Sequence, residues 1–488
     1  MKIDLNKEKN KQSRSYDVCI CGAGVAGITL ALELSKYGRK VALLEGGGEE
    51  YSDNSQSIYE AENIGLKYYG ITSCRLRYLG GTSNHWTGRT MLMQPIDFKD
   101  RDFFPLPGWP IKRKELDKYK KRAYEILGLS EHTLDALNVP QLSSSSMKTI
   151  GYGLTPPVRF SKKYYQELLK SENIDLFINA NLTNIKLNDL LNHVNELKIK
   201  NYNNDTFKFS GNKVILAMGA IENARLLLNS NSQLPQGIGN KSDYVGRCFM
   251  EHFQVFLGEY SINPDNAFWS SGIKLEFFPT DKFAIDKKVG TSVIAFGEAD
   301  STSYGRLKVI KKALKDSVCT SNNLVKISKS MFDFNCPGDG IITTLCEQSP
   351  NKNSRITLNS KKDSLGLRRV SLDWRVNELD KRTIRILAME TAKEFARLDF
   401  GRVKLKDYIL SDGIEEELGA HCHQMGTTRM SKSPNDGVVD VNSKIFGIDN
   451  LYVAGSSVFS TGGGVNPTLS IVQLSLRLAE HLSGMKSQ

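Results

Sequence analysis

With 488 residues, 40% of them hydrophobic and 24% charged, the chain has the composition of a globular protein, long enough for about three domain-sized units or two interwoven ones, and not of a disordered or fibrous one. The 65 Lys and Arg against 54 Asp and Glu leave a net charge of +11, but the excess is spread along the chain and reads as solvated surface, not as a nucleic-acid or membrane interface. No apolar run is long enough to cross a bilayer, the first residues lack the apolar stretch of a secretory leader, and the eight cysteines are scattered as reduced thiols are, so a cytoplasmic setting is expected.

Residues 1–14 are polar and read as a loose tail or a weakly docked arm. The following stretch, Tyr16 to Gly46, reads as strand, turn, helix, strand. Asp17 to Cys21 is a short apolar strand, and Gly22, Gly24 and Gly27 give the G-x-G-x-x-G spacing. Gly22 allows the tight turn, Gly24 lets a pyrophosphate approach the backbone, and Gly27 lets the helix from Val25 to Tyr37 lie close. The second strand, Lys40 to Leu44, ends at Glu45, a carboxylate placed to accept from a ribose diol; this favours FAD or NAD over a 2′-phosphorylated cofactor.

Ser73 to Thr90 contains Gly80 and Gly81 followed by small hydroxyl residues, a loop whose backbone can press against a flat ligand, with His85 and Trp86 at its end. Lys112 to Leu127 has helical spacing and stops at Gly128, and Ser143 to Ser146 form a lid or a surface connection. Leu176 to Ile185, Leu197 to Lys200, Thr206 to Ser210 and Lys213 to Met218 read as strands, the last running into a helix over Glu222 to Leu228. From Val245 to Glu417 the pattern is that of an antiparallel sheet, with strands at Phe253 to Tyr260, Val293 to Gly297, Gly340 to Cys346 and Arg355 to Leu358, a basic helix over Tyr304 to Asp316 and a charged helix over Leu379 to Leu398. A last strand, Asn450 to Ala454, and a helix from Pro467 to Leu482 close the chain.

Two late features carry chemistry. His423 is a candidate proton acceptor near neutral pH, and Asn466 either donates to a substrate oxygen or caps the helix opened by Pro467. His421 and His423 also form an H-x-H pair, but no carboxylate motif accompanies them and no metal site is expected. Gln348 faces either a polyol substrate or a sheet partner.

The segments GAGVAG with Glu45, LGGTSNHWTG, VILAMGAIENARLLL, VGRCFMEH, HCHQMGTTRM, NLYVAGSSVF and GGVNPTLSIVQLSLRLA together resemble the glucose–methanol–choline (GMC) oxidoreductase family, in the family's order from about Tyr16 to Leu482. The loop and closing segments look most similar to pyranose 2-oxidase and to bacterial sugar-type alcohol dehydrogenases. The resemblance implies an α/β fold: a Rossmann-like FAD-binding domain assembled from residues 15–95, 170–245 and 431–488, with an inserted substrate domain of antiparallel sheet plus helices from 96–169 and 246–430. It implies FAD held by Gly22, Gly24, Ala26, Gly27, Glu45, Gly81, Thr82, Asn84, Leu182, Gly455, Pro467 and Thr468. His85 occupies the place of a histidine that is joined covalently to the flavin in pyranose 2-oxidase, while relatives with similar loops bind FAD non-covalently. The implied reaction is oxidation of a CH–OH group of a sugar, glycoside or aminocyclitol-type alcohol, with His423 as base, Asn466 holding the oxygen and hydride passing to flavin N5. An oxygen-using alcohol oxidase that releases peroxide and a non-catalytic flavin-binding scaffold are the alternatives. Ser460 stands where the family often has Pro, and Gly462 to Gly464 make a flexible run at the pocket rim.

Overall fold

The computed structural model describes residues 1–129, 142–151, 153–154, 156–263, 266, 276–298 and 340–484. At its centre is the strand Arg14–Cys21, flanked in parallel by Val41–Leu44 and by Thr206–Leu216. Val41–Leu44 pairs in turn with Ile174–Ile178, and the late strand Leu451–Val453 pairs with Thr206–Leu216, again in parallel. Alternation along the central strand explains why this sheet is covered twice: Val18 and Ile20 join the core under the helices Val25–Lys36 and Thr468–Ser483, while Cys19 and Cys21 join the core on the other face.

Several elements differ from the sequence reading, each for a physical reason. The N-terminal tail is not loose: Lys2–Asp4 adds a parallel edge strand to Ile174–Ile178, and fully buried Leu5 anchors it, its N–H donating to the Ile178 carbonyl at 3.1 Å. The stretch Leu176 to Ile185 is two strands, because the chain turns at Asn179 with φ of +56° before Asn181–Leu187 runs antiparallel to Val194–Lys200. Thr206 to Leu216, by contrast, is one continuous strand that pairs antiparallel on one side and parallel on the other. The helix expected over Lys112 to Leu127 is broken into Arg113–Asp117 and Lys120–Leu127, and it stops at Gly128 with φ of +70°. The basic helix expected over Tyr304 to Asp316 lies outside the described residues.

Among the described residues, the second sheet has seven strands. His252–Ile262, Gly340–Glu347, Ser292–Glu298, Glu276–Pro279 and Met147–Ile150 follow one another antiparallel, with Gly401–Leu405 and Gly419–Ala420 against His252–Ile262. Ser143 to Ser146 is the connection leading into Met147–Ile150, where the Ser144 hydroxyl accepts from the Ser146 and Met147 amides. The helix Glu378–Arg397 starts at a capping box of Asn377 and Asp380 and buries Phe395 against Phe277 and Phe296. A small sheet of Arg355–Lys362, Arg368–Asp373 and Ala61–Asn63 ties the early chain to the later one. Among the described residues, no helix is long and apolar enough to cross a membrane.

Candidate active site

Between the two sheets lies a cleft of about 740 Å³, within the size of ligand sites in general. The N-terminal turns of three helices, Val25–Lys36, Gly219–Asn229 and Thr468–Ser483, line it, and none of the three has a side-chain cap. Their uncapped first-turn N–H groups and positive dipole ends make the cleft receptive to anions and polar ring edges. Gly22 holds φ of +106°, and a Cβ there would meet the Ala217 carbonyl oxygen at 2.5 Å. A Cβ on Gly24 would meet nothing within 4 Å, so that backbone faces open cleft, whereas on Gly27 it would fall 1.8 Å from the Gly22 oxygen. The spacing thus separates one glycine for turning, one for a ligand and one for packing.

Glu45 is buried beside the turn, where its two carboxylate oxygens accept from the Ala23 and Gly47 amides at 2.9 and 2.8 Å. Ala26, Gly81, Thr82, His85, Leu182, Gly455, Pro467 and Thr468 also line the cleft. Gly27 and Asn84 do not. Asn84 is spent on the loop itself, donating to the Leu79 carbonyl at 2.8 Å and accepting from the Ser161 hydroxyl at 2.7 Å. Burial lowers the His85 ring below its ordinary range. Free amides, a buried carboxylate and an open glycine face fit the phosphates, ribose and flat ring of a dinucleotide. The buried Asn466 Oδ1, which has no hydrogen-bond partner, adds a polar edge to be met.

At the far end stand His423 and Asn466, which the fold brings together across 43 residues: Asn466 Nδ2 lies 3.5 Å from His423 Nε2. The other ring nitrogen of His423 meets Nδ1 of His252 at 3.0 Å. Burial first, and the neighbouring imidazoles second, hold His423 well below the ordinary histidine range, and burial brings His252 down to about 4. Beneath them Glu251 Oε1 accepts from the backbone amides of His252 and His423 at 2.9 and 2.5 Å, and its Oε2 accepts from the Tyr68 hydroxyl at 2.5 Å. Burial pushes the Glu251 carboxyl up to about 8. His421 stacks on His423 with ring centroids 5.7 Å apart. Among the described residues, no group of three or more His, Cys, Asp or Glu side chains is placed to hold a metal ion.

Sequence reasoning missed His252, Glu251, Tyr68 and the buried pair Arg101–Glu347. The segment VGRCFMEH contains two of them, but nothing local says that its histidine meets a residue 171 positions later. Also missed are Cys74 and Cys422, which line the cleft. Cys74 accepts from Gln424 at 3.0 Å, and its contact with Cys422 lowers its pKa while raising that of Cys422. Arg75 and Glu222, 2.9 Å apart, line the cleft as well. Gln348 is no polyol ligand: fully buried, it accepts from the Glu251 amide and the Trp374 indole at 3.0 Å each and donates to the Arg375 carbonyl at 2.8 Å.

Two family models match the chain, an FAD-dependent oxidoreductase over residues 17–236 and GMC oxidoreductase over residues 350–475. The fructose dehydrogenase large subunit of Gluconobacter japonicus is 20% identical over 96% of this chain and 98% of its own length. The 2-methyl-1,2-propanediol dehydrogenase of Mycolicibacterium austroafricanum is 24% identical over 96% and 95%. Paromamine 6′-oxidase of Streptomyces fradiae is 26% identical over 57% and 47%. Among solved structures, a pyridoxine 4-oxidase from Mesorbium loti superposes with a TM-score of 0.58 at 17% identity over 95% and 98% of the two chains. A formate oxidase of Aspergillus oryzae RIB40 gives 0.60 at 15% identity over 97% and 99%. With one match spanning the glycine turn and the other running across the imidazole-bearing loop into the closing helix, the chain joins an FAD-dependent oxidoreductase domain to a GMC oxidoreductase C-terminal domain and is an FAD-dependent oxidoreductase.

Proposed function

We propose that this enzyme oxidises a CH–OH group of a sugar, glycoside or aminocyclitol-type alcohol to a carbonyl, with His423 and Asn466 as the residues that handle the hydroxyl. One observation carries the reading: His423 Nε2 and Asn466 Nδ2 face the same cleft 3.5 Å apart, so a single hydroxyl oxygen can meet both. His423 takes the hydroxyl proton at Nε2, and Asn466 donates from Nδ2 to the oxygen as its negative charge grows. FAD, when bound, supplies the acceptor for the hydride leaving the alcohol carbon.

The amides of Gly24 to Ala26, with Glu45, would hold the nucleotide half. Gly81, Thr82, Leu182, Gly455, Pro467 and Thr468 would hold the remainder, and Gly27 would act by packing. The FAD-binding unit comprises residues 15–95, 170–245 and 431–488, and the substrate unit 96–169 and 246–430. His85, which lines the cleft, would be the residue to carry a covalent flavin link. A protein precipitated in acid, washed, and found free of yellow colour would exclude that link. The six unpaired cysteines among the described residues suit a reducing, cytoplasmic setting.

The relatives named above include dehydrogenases of fructose and of 2-methyl-1,2-propanediol and an oxidase of paromamine, and these set the substrate panel. Purified FAD-loaded protein mixed anaerobically with sugars, aminoglycosides and simple diols should lose its visible flavin absorbance with at least one of them. Readmission of air then divides oxidase from dehydrogenase by peroxide release. Retention of full absorbance across the whole panel would point instead to a flavin-binding scaffold.

A further inference from the structure

The two imidazoles at the reactive end dictate where each other's protons sit. His252 is fully buried and held at both ring nitrogens: Nε2 lies 2.6 Å from the Gly463 carbonyl oxygen, and Nδ1 lies 3.0 Å from Nδ1 of His423. A carbonyl has no proton to give, so Nε2 of His252 carries the hydrogen and donates. A neutral imidazole has only one N–H, which leaves Nδ1 of His252 a bare acceptor. The hydrogen in the 3.0 Å contact therefore comes from Nδ1 of His423. By the same count, Nε2 of His423 has no hydrogen. The amide of Asn466 agrees, since it turns Nδ2, a donor, toward that nitrogen.

The count requires both rings to be neutral, and burial keeps them so. The start of the relay is itself fixed. The Gly463 amide donates to Glu347 Oε1 at 3.1 Å, and Glu347 accepts two further bonds of 2.7 Å from Arg101, an ion pair with almost no solvent exposure. Glu251 ties the backbone of His252 to that of His423, which keeps the two rings at this spacing.

We propose that His252 is a positioning residue that selects the tautomer of His423, so that Nε2, the atom facing the cleft, is the bare one. This rests on the reading of His423 as the base. When an alcohol O–H bond breaks and its proton joins Nε2, His423 becomes an imidazolium that still donates from Nδ1 to the bare Nδ1 of His252. The positive charge is thus met by an acceptor already in place.

The test reads the tautomer directly. FAD-loaded protein labelled with 15N in its seven histidines gives ring proton–nitrogen correlation spectra, with His423 assigned through His423→Gln. Wild type should show His423 protonated at Nδ1. His252→Phe should lose that signature, and His252→Asn, whose Oδ1 can accept the same proton, should keep it. In parallel, His252→Phe should slow flavin reduction by about 10-fold or more with KM within about threefold, and His252→Asn should recover most of the rate. An Nε2-protonated His423 in wild type, or an unchanged signature in His252→Phe, overturns the proposal. Were the Phe variant not to fold, the wild-type and Asn spectra decide it. If the tautomers behave as stated but His423→Ala reduces flavin normally, the base reading fails and the positioning stands.

Discussion

At the end of the cleft proposed to hold the nucleotide, the lining is largely main chain: a glycine turn, the first turns of two helices, and one carboxylate that itself bonds to two backbone amides. At the other end it is lined by the side chains of His423 and Asn466, backed by buried His252 and Glu251, the four drawn from three distant segments and held by one another. A backbone site depends on space, because a single Cβ in the wrong place closes it. A side-chain site depends on partners, because each buried polar group needs another to satisfy it.

The strongest way to break this distinction is at Gly27. Its Cβ would sit 1.8 Å from the Gly22 oxygen, so Gly27→Val should yield no folded, FAD-loaded protein. Gly24→Ala, with nothing within 4 Å of the new methyl, should instead melt within a few degrees of wild type and lose much of its FAD. Flavin content and a thermal melt of both variants check this. A Gly24→Ala protein with full FAD would mean that this backbone does not face the ligand.

At the reactive end the largest effect expected on stability is at Glu347. Glu347→Gln leaves the Arg101 guanidinium buried without its anion, and about 3 kcal/mol of stability should go, read from the urea midpoint. A loss under about 1 kcal/mol would mean that water or the neighbouring Asp97 supplies the missing charge. Asp97 lies close enough for burial and the Glu347 charge to push its carboxyl up to about 7.

The smallest effect is in acid. The folded-state pKa of His252, about 4, lies below the unfolded value of 6.5, so below pH 6.5 the unfolded chain takes up a proton that the folded one refuses. Stability is therefore lost as pH falls from 6.5 toward 4. Between pH 7 and pH 5 this group alone should remove about 2 kcal/mol. Measured as the difference between wild type and His252→Asn, the effect of other groups largely cancels. Equal acid slopes in the two proteins would show that His252 is not desolvated.

The same contrast explains what could be read in advance. The first strand, turn and helix were legible because their signals lie within 30 residues: apolar run, three glycines, carboxylate. His423 and Asn466 stood out singly as candidates, but their pairing was legible only through family motifs, since nothing local says that a histidine and an asparagine 43 positions apart meet. His252 was not legible at all. Its role is defined by a contact 171 residues away and a carbonyl 211 residues away, and neither leaves a mark on its own neighbourhood. The strand in the tail was not legible for a related reason, because its apolar anchors are only Leu5 and the partly buried Ile3 in an otherwise polar stretch.

On the proposed mechanism, His423 removes the hydroxyl proton from an alcohol held in the cleft. Anaerobic stopped-flow mixing of FAD-loaded wild type and His423→Ala with a turnover-competent alcohol tests it most directly. Flavin bleaching in the variant should slow by about 100-fold or more while FAD stays bound. Bleaching at close to the wild-type rate would contradict it.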